Sequence, residues 1–186
     1  MDLVFFGIQG SGKGTQAKRL AAELGYDIFE AGGELRKIAA SGSPLGKKVK
    51  SNIDEGHLVP HEIIMEVVKT AIGSRPKSQK IIFDGIPRDT NQMKDFDAIM
   101  NDAGRVFSAI HIELDPEEGV HRIFGRAAQE GRADDANEEI IRRRMKTFTE
   151  KTIPVIDAYR TQGKVTDIDG MKDVSEVYEK IKKAIL

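Results

Sequence analysis

The chain has 186 residues, 39% hydrophobic and 32% charged, with a formal net charge of −1. That composition suits one domain with a solvated surface, and bulk charge gives no reason to expect a nucleic-acid partner. There are no cysteines, which excludes disulfides and thiolate metal sites and fits a reducing compartment such as the cytoplasm.

Leu3–Phe6 reads as a buried strand, with no signal-like region before it, and no apolar stretch approaches the roughly 20 residues of a membrane helix. The strand runs into Gly7-Ile8-Gln9-Gly10-Ser11-Gly12-Lys13-Gly14-Thr15, and helical spacing of Ala17, Leu20, Ala21 and Leu24 follows up to Gly25. Strand, glycine loop and helix N-terminus together form the context of a phosphate cradle. Lys13 is placed to reach β- and γ-phosphates and Thr15 to hold Mg²⁺, although Gly14 intervenes between them. A plain glycine-rich turn is the alternative.

Tyr26–Phe29 is a short strand, and Ala31–Ala40 a helix broken by Ser41-Gly42-Ser43-Pro44. Ser43 and Pro44 read as the cap and first position of a new helix that carries Lys47, Lys48 and Lys50 on a solvated face. His61–Ile72 has an apolar helical stripe. Lys80–Asp84 is a buried strand ending in an acid. Asp84 is a candidate Mg²⁺ support or, alternatively, a cap for the following turn.

Helix over Asn91–Ala103, strand over Val106–Leu114 and a helix opened by Asp115-Pro116-Glu117-Glu118 come next. A polar stretch, Gln129–Asn137, precedes one long helix from Glu138 to Gln162 with a kink expected at Pro154. Val165–Ile168 and Val174–Leu186 complete the alternation, which implies a doubly wound parallel sheet of five strands.

Arg122 and Arg126 share a helix face, and Arg132 lies in the polar stretch. Arg144 falls on the inward stripe of Ile141, Met145, Phe148, Thr152, Ile156 and Tyr159, whereas Arg143 is expected to face solvent. A buried arginine needs an anion. Salt bridges to Asp134, Asp135 or Glu138 would serve, but a whole set beside a phosphate loop points to phosphate clamping. The four histidines show no metal-ligand spacing, and His111 reads as structural.

Gly7–Gln16 resembles the first motif of adenylate kinases, and Phe83-Asp84-Gly85-Ile86-Pro87-Arg88 the second. Gly131–Asp135 with Arg142-Arg143-Arg144 resembles the lid motif, of the short kind without zinc ligands. Ile168–Lys172 is similar to the segment that meets the ATP base. The resemblance spans essentially the whole chain. It implies a three-layer α/β P-loop fold, an acceptor-binding helical lobe at 30–59 and a short lid at 126–136.

It also implies roles. Gly10, Ser11, Gly12, Lys13, Gly14 and Thr15 would hold ATP phosphates, with Lys172 and Arg126 at the ATP base. Arg36 and Arg88 would grip the acceptor monophosphate in a pocket that includes Ala31, Gly85, Ile86 and Pro87. His57, Leu58 and Val59 would line its base and Gln92 would read its edge. Arg122, Arg126, Arg132 and Arg144 would clamp both sets of phosphates. Mg²⁺ is implied at Asp84 and Thr15, through water. The expected activity is transfer from Mg·ATP to AMP by a cytoplasmic monomer that binds small nucleotides, with neither membrane nor nucleic acid as partner.

Several positions depart from the family pattern: Gln9 for Pro, Ala31 for Thr or Ser, Gly33 for Asp, Ile86 for Phe and His121 for Asp. Ala31 resembles UMP/CMP kinases and Gln92 favours AMP. Gln92 carries more weight, because an amide pairs with both donor and acceptor edges of adenine. A non-catalytic nucleotide switch is the alternative from another class.

Overall fold

The computed structural model describes residues 1–130 and 137–186, the stretch 126–130 by its backbone alone. The strands are β1 (Asp2–Phe6), β2 (Asp27–Glu30), β3 (Ile81–Asp84), β4 (Phe107–Glu113) and β5 (Val165–Asp169). They form one parallel sheet in the order β2-β3-β1-β4-β5. The order reverses around β1, which opens a cleft at the carboxyl ends of the strands, where ligands bind in such sheets.

Alternation along β1 divides the core in two. Leu3 and Phe5 pack with Ala17, Leu20, Val177 and Ile181, under α1 (Lys13–Leu24) and α9 (Val174–Ile185). Val4 and Phe6 pack with Val68, Phe96, Val155 and Tyr159 under α4 (His61–Gly73), α5 (Thr90–Asp102) and α8 (Ile153–Thr161). The result is helix, sheet, helix, the layering expected of a parallel sheet buried on both faces. Between β2 and α4, α2 (Ala31–Ala40) packs on α3 (Pro44–Asp54). A third cluster joins Ile8 to Val120 and Ile123 of α6 (Pro116–Glu130) and to Ile141 and Met145 of α7 (Glu138–Thr147).

Local chemistry sets the helix ends. Gly25, at φ 71°, closes α1 and donates its N–H to the Ala21 carbonyl. Ser43 Oγ accepts from the Gly46 N–H at 3.0 Å, with Pro44 at the first helical position. Asp115 Oδ1 accepts from the N–H groups of Glu117 and Glu118.

The long helix expected over Glu138–Gln162 is interrupted. A π-turn, Phe148–Thr152, separates α7 from α8, and the Ile153 N–H donates to the Phe148 carbonyl five residues back. Pro154 supplies the reason. It has no N–H and its ring crowds the carbonyl four residues before it, so the turn ahead of it opens. Thr147 and Thr149 hydroxyls bond back to the carbonyls of Arg143 and Met145, a pattern that bends helices.

At the amino-terminal edge of the sheet a buried ion pair joins strands and loops. Arg105 and Asp2 are 9% and 3% exposed. Arg105 Nε donates to Asp2 Oδ2 at 2.7 Å and Nη2 to Oδ1 at 3.0 Å. Asp2 Oδ1 also accepts the Ile81 N–H at 2.8 Å, and Arg105 Nη2 donates to the Gln79 carbonyl. Among the described residues no helix is long and apolar enough to cross a membrane.

Candidate functional site

The loop after β1 wraps the N-terminus of α1. Gly10, at φ 84°, lies so near α6 that a Cβ would come 2.7 Å from the Gly119 carbonyl oxygen. Gly12 is the N-cap of α1 and offers no side chain to its first turn, so those amides are left for an anion. Lys13 Nζ donates to the carbonyls of Gly7 (2.7 Å) and Ile8 (3.1 Å), which holds the ammonium across the loop. Thr15 is exposed in the same first turn. Asp84 ends β3 in register with Phe5 of β1, one strand away from where the loop begins.

A cavity of about 370 Å³ opens from this loop across the carboxyl edge of the sheet towards α2, α3 and the π-turn. Three guanidinium groups converge in it. Arg88 Nε donates to the Gly85 carbonyl at 2.9 Å, an approach so close that a Cβ on Gly85 would meet Arg88 Nη2 at 2.9 Å. Arg36 Nη2 donates to Glu30 Oε1 at 2.7 Å, and Arg144 Nη2 to the Ile53 carbonyl at 3.3 Å. Burial lowers the Arg88 pKa below the ordinary arginine value, the carboxylate of Asp84 pulls it up, and Arg144 and Arg36 push it down further. Among the described residues the guanidinium groups here outnumber the carboxylates of Asp84 and Glu30, which suits an oxyanion.

Arg122, on α6, lines the cavity as well. Its Nε donates to Glu118 Oε1 at 2.7 Å and its Nη1 to the Gly170 carbonyl at 3.1 Å, tying α6 to the turn after β5. The cavity thus has a cradle of backbone amides with Lys13 at one end and an arginine cluster at the other.

A family model described as adenylate kinase matches residues 5–164. The chain is 40% identical over 184 residues to an adenylate kinase of Thermus thermophilus, covering 98% of this chain and 96% of that one. It is 39% identical over 186 residues to those of Maricaulis maris and Xanthomonas oryzae, covering all of this chain and 98% and 99% of theirs. The chain belongs to the adenylate kinase family. It is an enzyme of the nucleoside monophosphate kinase class.

Most residues named from sequence surround one cavity in this adenylate kinase family member. Gly10, Gly12, Lys13, Gly14, Thr15, Ala31, Arg36, His57, Leu58 and Val59 line it, as do Asp84–Arg88, Gln92, Arg122 and Arg144. Two do not. Ser11 is turned beneath the loop, its Oγ buried without a hydrogen-bond partner and its N–H given to the Ile8 carbonyl. Lys172 is exposed on the turn after β5, and Gly170 supplies that turn's link to Arg122. The side chain of Arg126, all of Arg132 and Asp134–Asp135 lie outside the described residues, as does most of the expected lid at 126–136.

Other positions correct the reading. Arg143 is not simply solvated, because its Nη1 donates to the Glu55 carbonyl at 2.7 Å and joins α7 to the end of α3. Glu30, close to Gly33, lines the cavity and gives its carboxylate to Arg36. A Cβ at Gly33 would come 3.3 Å from Glu30 Oε2, so that side chain would have to shift slightly. Glu34, beside it, pairs with Lys37 at 2.8 Å.

Gln92, 3% exposed, uses Oε1 to accept the Arg88 N–H at 2.8 Å, so part of its capacity is spent on protein. His111 Nδ1 lies 2.8 Å from Asp167, and the ligand atoms of His111, Glu113 and Asp167 fall within 4.8 Å of one another. Two donors of Arg160 sit on Asp167 as well, so this grouping is an ion-pair network.

Sequence reasoning missed Glu30, Thr147, Phe148 and Thr152 as cavity residues. Glu30 was detectable, since it ends a strand at the carboxyl edge. Phe148 and Thr152 read as core because the inward stripe that carries Arg144 continues through them.

Proposed function

We propose that this chain transfers the γ-phosphoryl group of ATP reversibly to AMP, giving two ADP. The observation that supports the reading is one cavity lined by two groups suited to phosphate: the α1 amide cradle with Lys13, and the cluster of Arg36, Arg88 and Arg144. A nucleotide switch needs only the first. An oxygen of the acceptor phosphate attacks the γ-phosphorus while its bond to the β–γ bridging oxygen breaks, and the electrons leave on the ADP formed. Little covalent chemistry is asked of the protein, so positioning and electrostatics do the catalysis.

Lys13 and the Gly10–Thr15 backbone hold the donor phosphates. Arg88 lies at the cluster's centre and grips the phosphates between which the transfer occurs, while Arg122 and Arg144 neutralise charge. Arg126 and Arg132 are assigned to the same clamp, and Lys172 to the rim of the ATP base by its backbone. Gln92 faces the acceptor base with its amide nitrogen and the second lone pair of its oxygen. Thr15 and Asp84, both in the cavity wall, offer hard oxygen donors of the kind that suit Mg²⁺. Mg²⁺ bound there supplies positive charge to the polyphosphate. We place the enzyme in the cytoplasm as a monomer.

The deciding experiment incubates the protein with Mg·ATP and AMP, CMP or UMP separately and follows ADP. ADP with AMP far above the others is expected. Preference for UMP or CMP would overturn the acceptor assignment and make Ala31 the residue that matters. No ADP with any acceptor would return the switch.

A further inference from the structure

The π-turn faces the site. Thr147, Phe148 and Thr152 all line the cavity, and turns of this kind concentrate at functional sites. Thr152 is 4% exposed, and its hydroxyl does not bond back along its own helix as those of Thr147 and Thr149 do. It donates across to the Arg88 carbonyl at 2.8 Å, 64 residues away in the chain.

On the other side of the same residue, the Arg88 N–H donates to Gln92 Oε1 at 2.8 Å. The guanidinium Nε is held by the Gly85 carbonyl. Both backbone polar groups of Arg88 and its Nε are therefore held from α5, the π-turn and the loop after β3, and among the described residues no hydrogen bond takes the two Nη groups. Burial disfavours that charge where it stands, against the pull of Asp84, and Arg144 and Arg36 add to the cost.

We propose that Thr152 is a positioning residue for Arg88, and that the π-turn places its hydroxyl where the Arg88 carbonyl needs it. The widened turn frees Thr152 from the i−4 carbonyl and points it at the loop after β3. Its hydroxyl and the Gln92 amide oxygen then grip one peptide unit on each side of the Arg88 Cα. A misplacement of about 1 Å in a reacting constellation costs up to roughly 10²-fold in rate. The proposal rests on the reading of Arg88 as the phosphate-gripping arginine.

The test compares Thr152→Val and Thr152→Ser in the parent and in Arg88→Ala, with kcat, KM for each nucleotide and thermal midpoint for all. Thr152→Val is expected to lower kcat by roughly 10- to 100-fold with KM for ATP little changed. Thr152→Ser keeps the hydroxyl and is expected to stay within about threefold of the parent. In the Arg88→Ala background Thr152→Val is expected to cost nothing further in kcat, because the group it positions is gone.

A Thr152→Val enzyme with at least about half the parent kcat overturns the proposal. So does equal impairment by Val and Ser, or a full additional loss in the Arg88→Ala background. Should the Val variant not fold, Thr152→Cys replaces it, with an intermediate loss expected and an unchanged kcat decisive against. Near-normal turnover by Arg88→Ala would sink the reading of Arg88 itself, whereas a large Arg88→Ala loss beside an innocuous Thr152→Val would sink this proposal alone.

Discussion

Arg105 and Arg88 stand at opposite edges of the same sheet, the first buried and the second half-buried. At the amino edge, Arg105 meets a carboxylate with two of its donors and backbone carbonyls with others, and Asp2 is in turn satisfied by the Ile81 N–H. At the carboxyl edge, Arg88 shares its surroundings with Arg36 and Arg144, and among the described residues Asp84 and Glu30 oppose them. The first arrangement is closed within the protein. The second, among the described residues, sets three guanidinium groups against two carboxylates, an excess that suits an anionic ligand. Arg105 thus meets a carboxylate with two of its own donors, whereas Arg88 stands among other cations in a cavity wall.

The comparison can be broken by exchanging the two costs. Arg88→Ala is expected to lower turnover by roughly 10³-fold or more, the range of a transition-state arginine, while the thermal midpoint stays level or rises. The rise follows from the sign of the shift. A cation whose pKa is depressed by folding is held charged at a cost below its unfolded pKa, and alanine removes that cost. A large drop in midpoint together with intact kcat would reverse the assignment.

Arg105→Ala is expected to do the opposite. It strands the Asp2 carboxylate in the core, a loss of about 3–5 kcal/mol in denaturant unfolding, with kcat per folded molecule unchanged. Loss of catalysis at full stability would contradict it. Ligand linkage sharpens the contrast: at 100 times its dissociation constant ATP should stabilise the parent and Arg105→Ala by about 2.7 kcal/mol each. Under the same conditions AMP should stabilise Arg88→Ala much less than the parent, read as the shift in urea midpoint. Equal AMP shifts in both would mean that Arg88 does not touch the acceptor phosphate.

Sequence carried much of this because its signals were local. Gly25, Ser43-Pro44 and Asp115-Pro116 announce helix ends by backbone chemistry that needs no partner elsewhere, and the structure ends its helices there. The phosphate loop was legible for the same reason, since glycine, lysine and a following helix are contiguous. Pairings formed across long separations were hidden. Nothing near Arg105 says that Asp2 will be its partner 103 residues away, nor that Thr152 will reach Arg88. Pro154 did signal an irregularity, but a kink and a π-turn are alternative answers to the same missing N–H. Arg143 was misread because helical phase gives direction and not reach, and its long side chain crosses to α3.

The smallest expected effect lies on the carboxyl edge outside the cavity, where charge is again closed within the protein. Asp167 accepts from Arg160 Nη2 at 2.7 Å and stands 2.8 Å from His111 Nδ1. The hydrogen bonds from Arg160 hold its carboxyl below the usual carboxylate range, with His111 helping and partial burial opposing. A carboxylate whose pKa is lowered by folding contributes stability above its unfolded value, about 3.9, and loses that contribution as pH falls through its folded value. Asp167→Asn should therefore cost under about 1 kcal/mol at neutral pH, since a third of the side chain is exposed and the pair is screened. The gap between variant and parent should close as pH is lowered from about 5 towards 3. Urea unfolding at several pH values measures that gap, and a gap constant across the range would show that Asp167 contributes through packing and not through charge. Activity should be unaffected throughout, because an ion pair that the protein completes by itself has nothing left to offer a substrate.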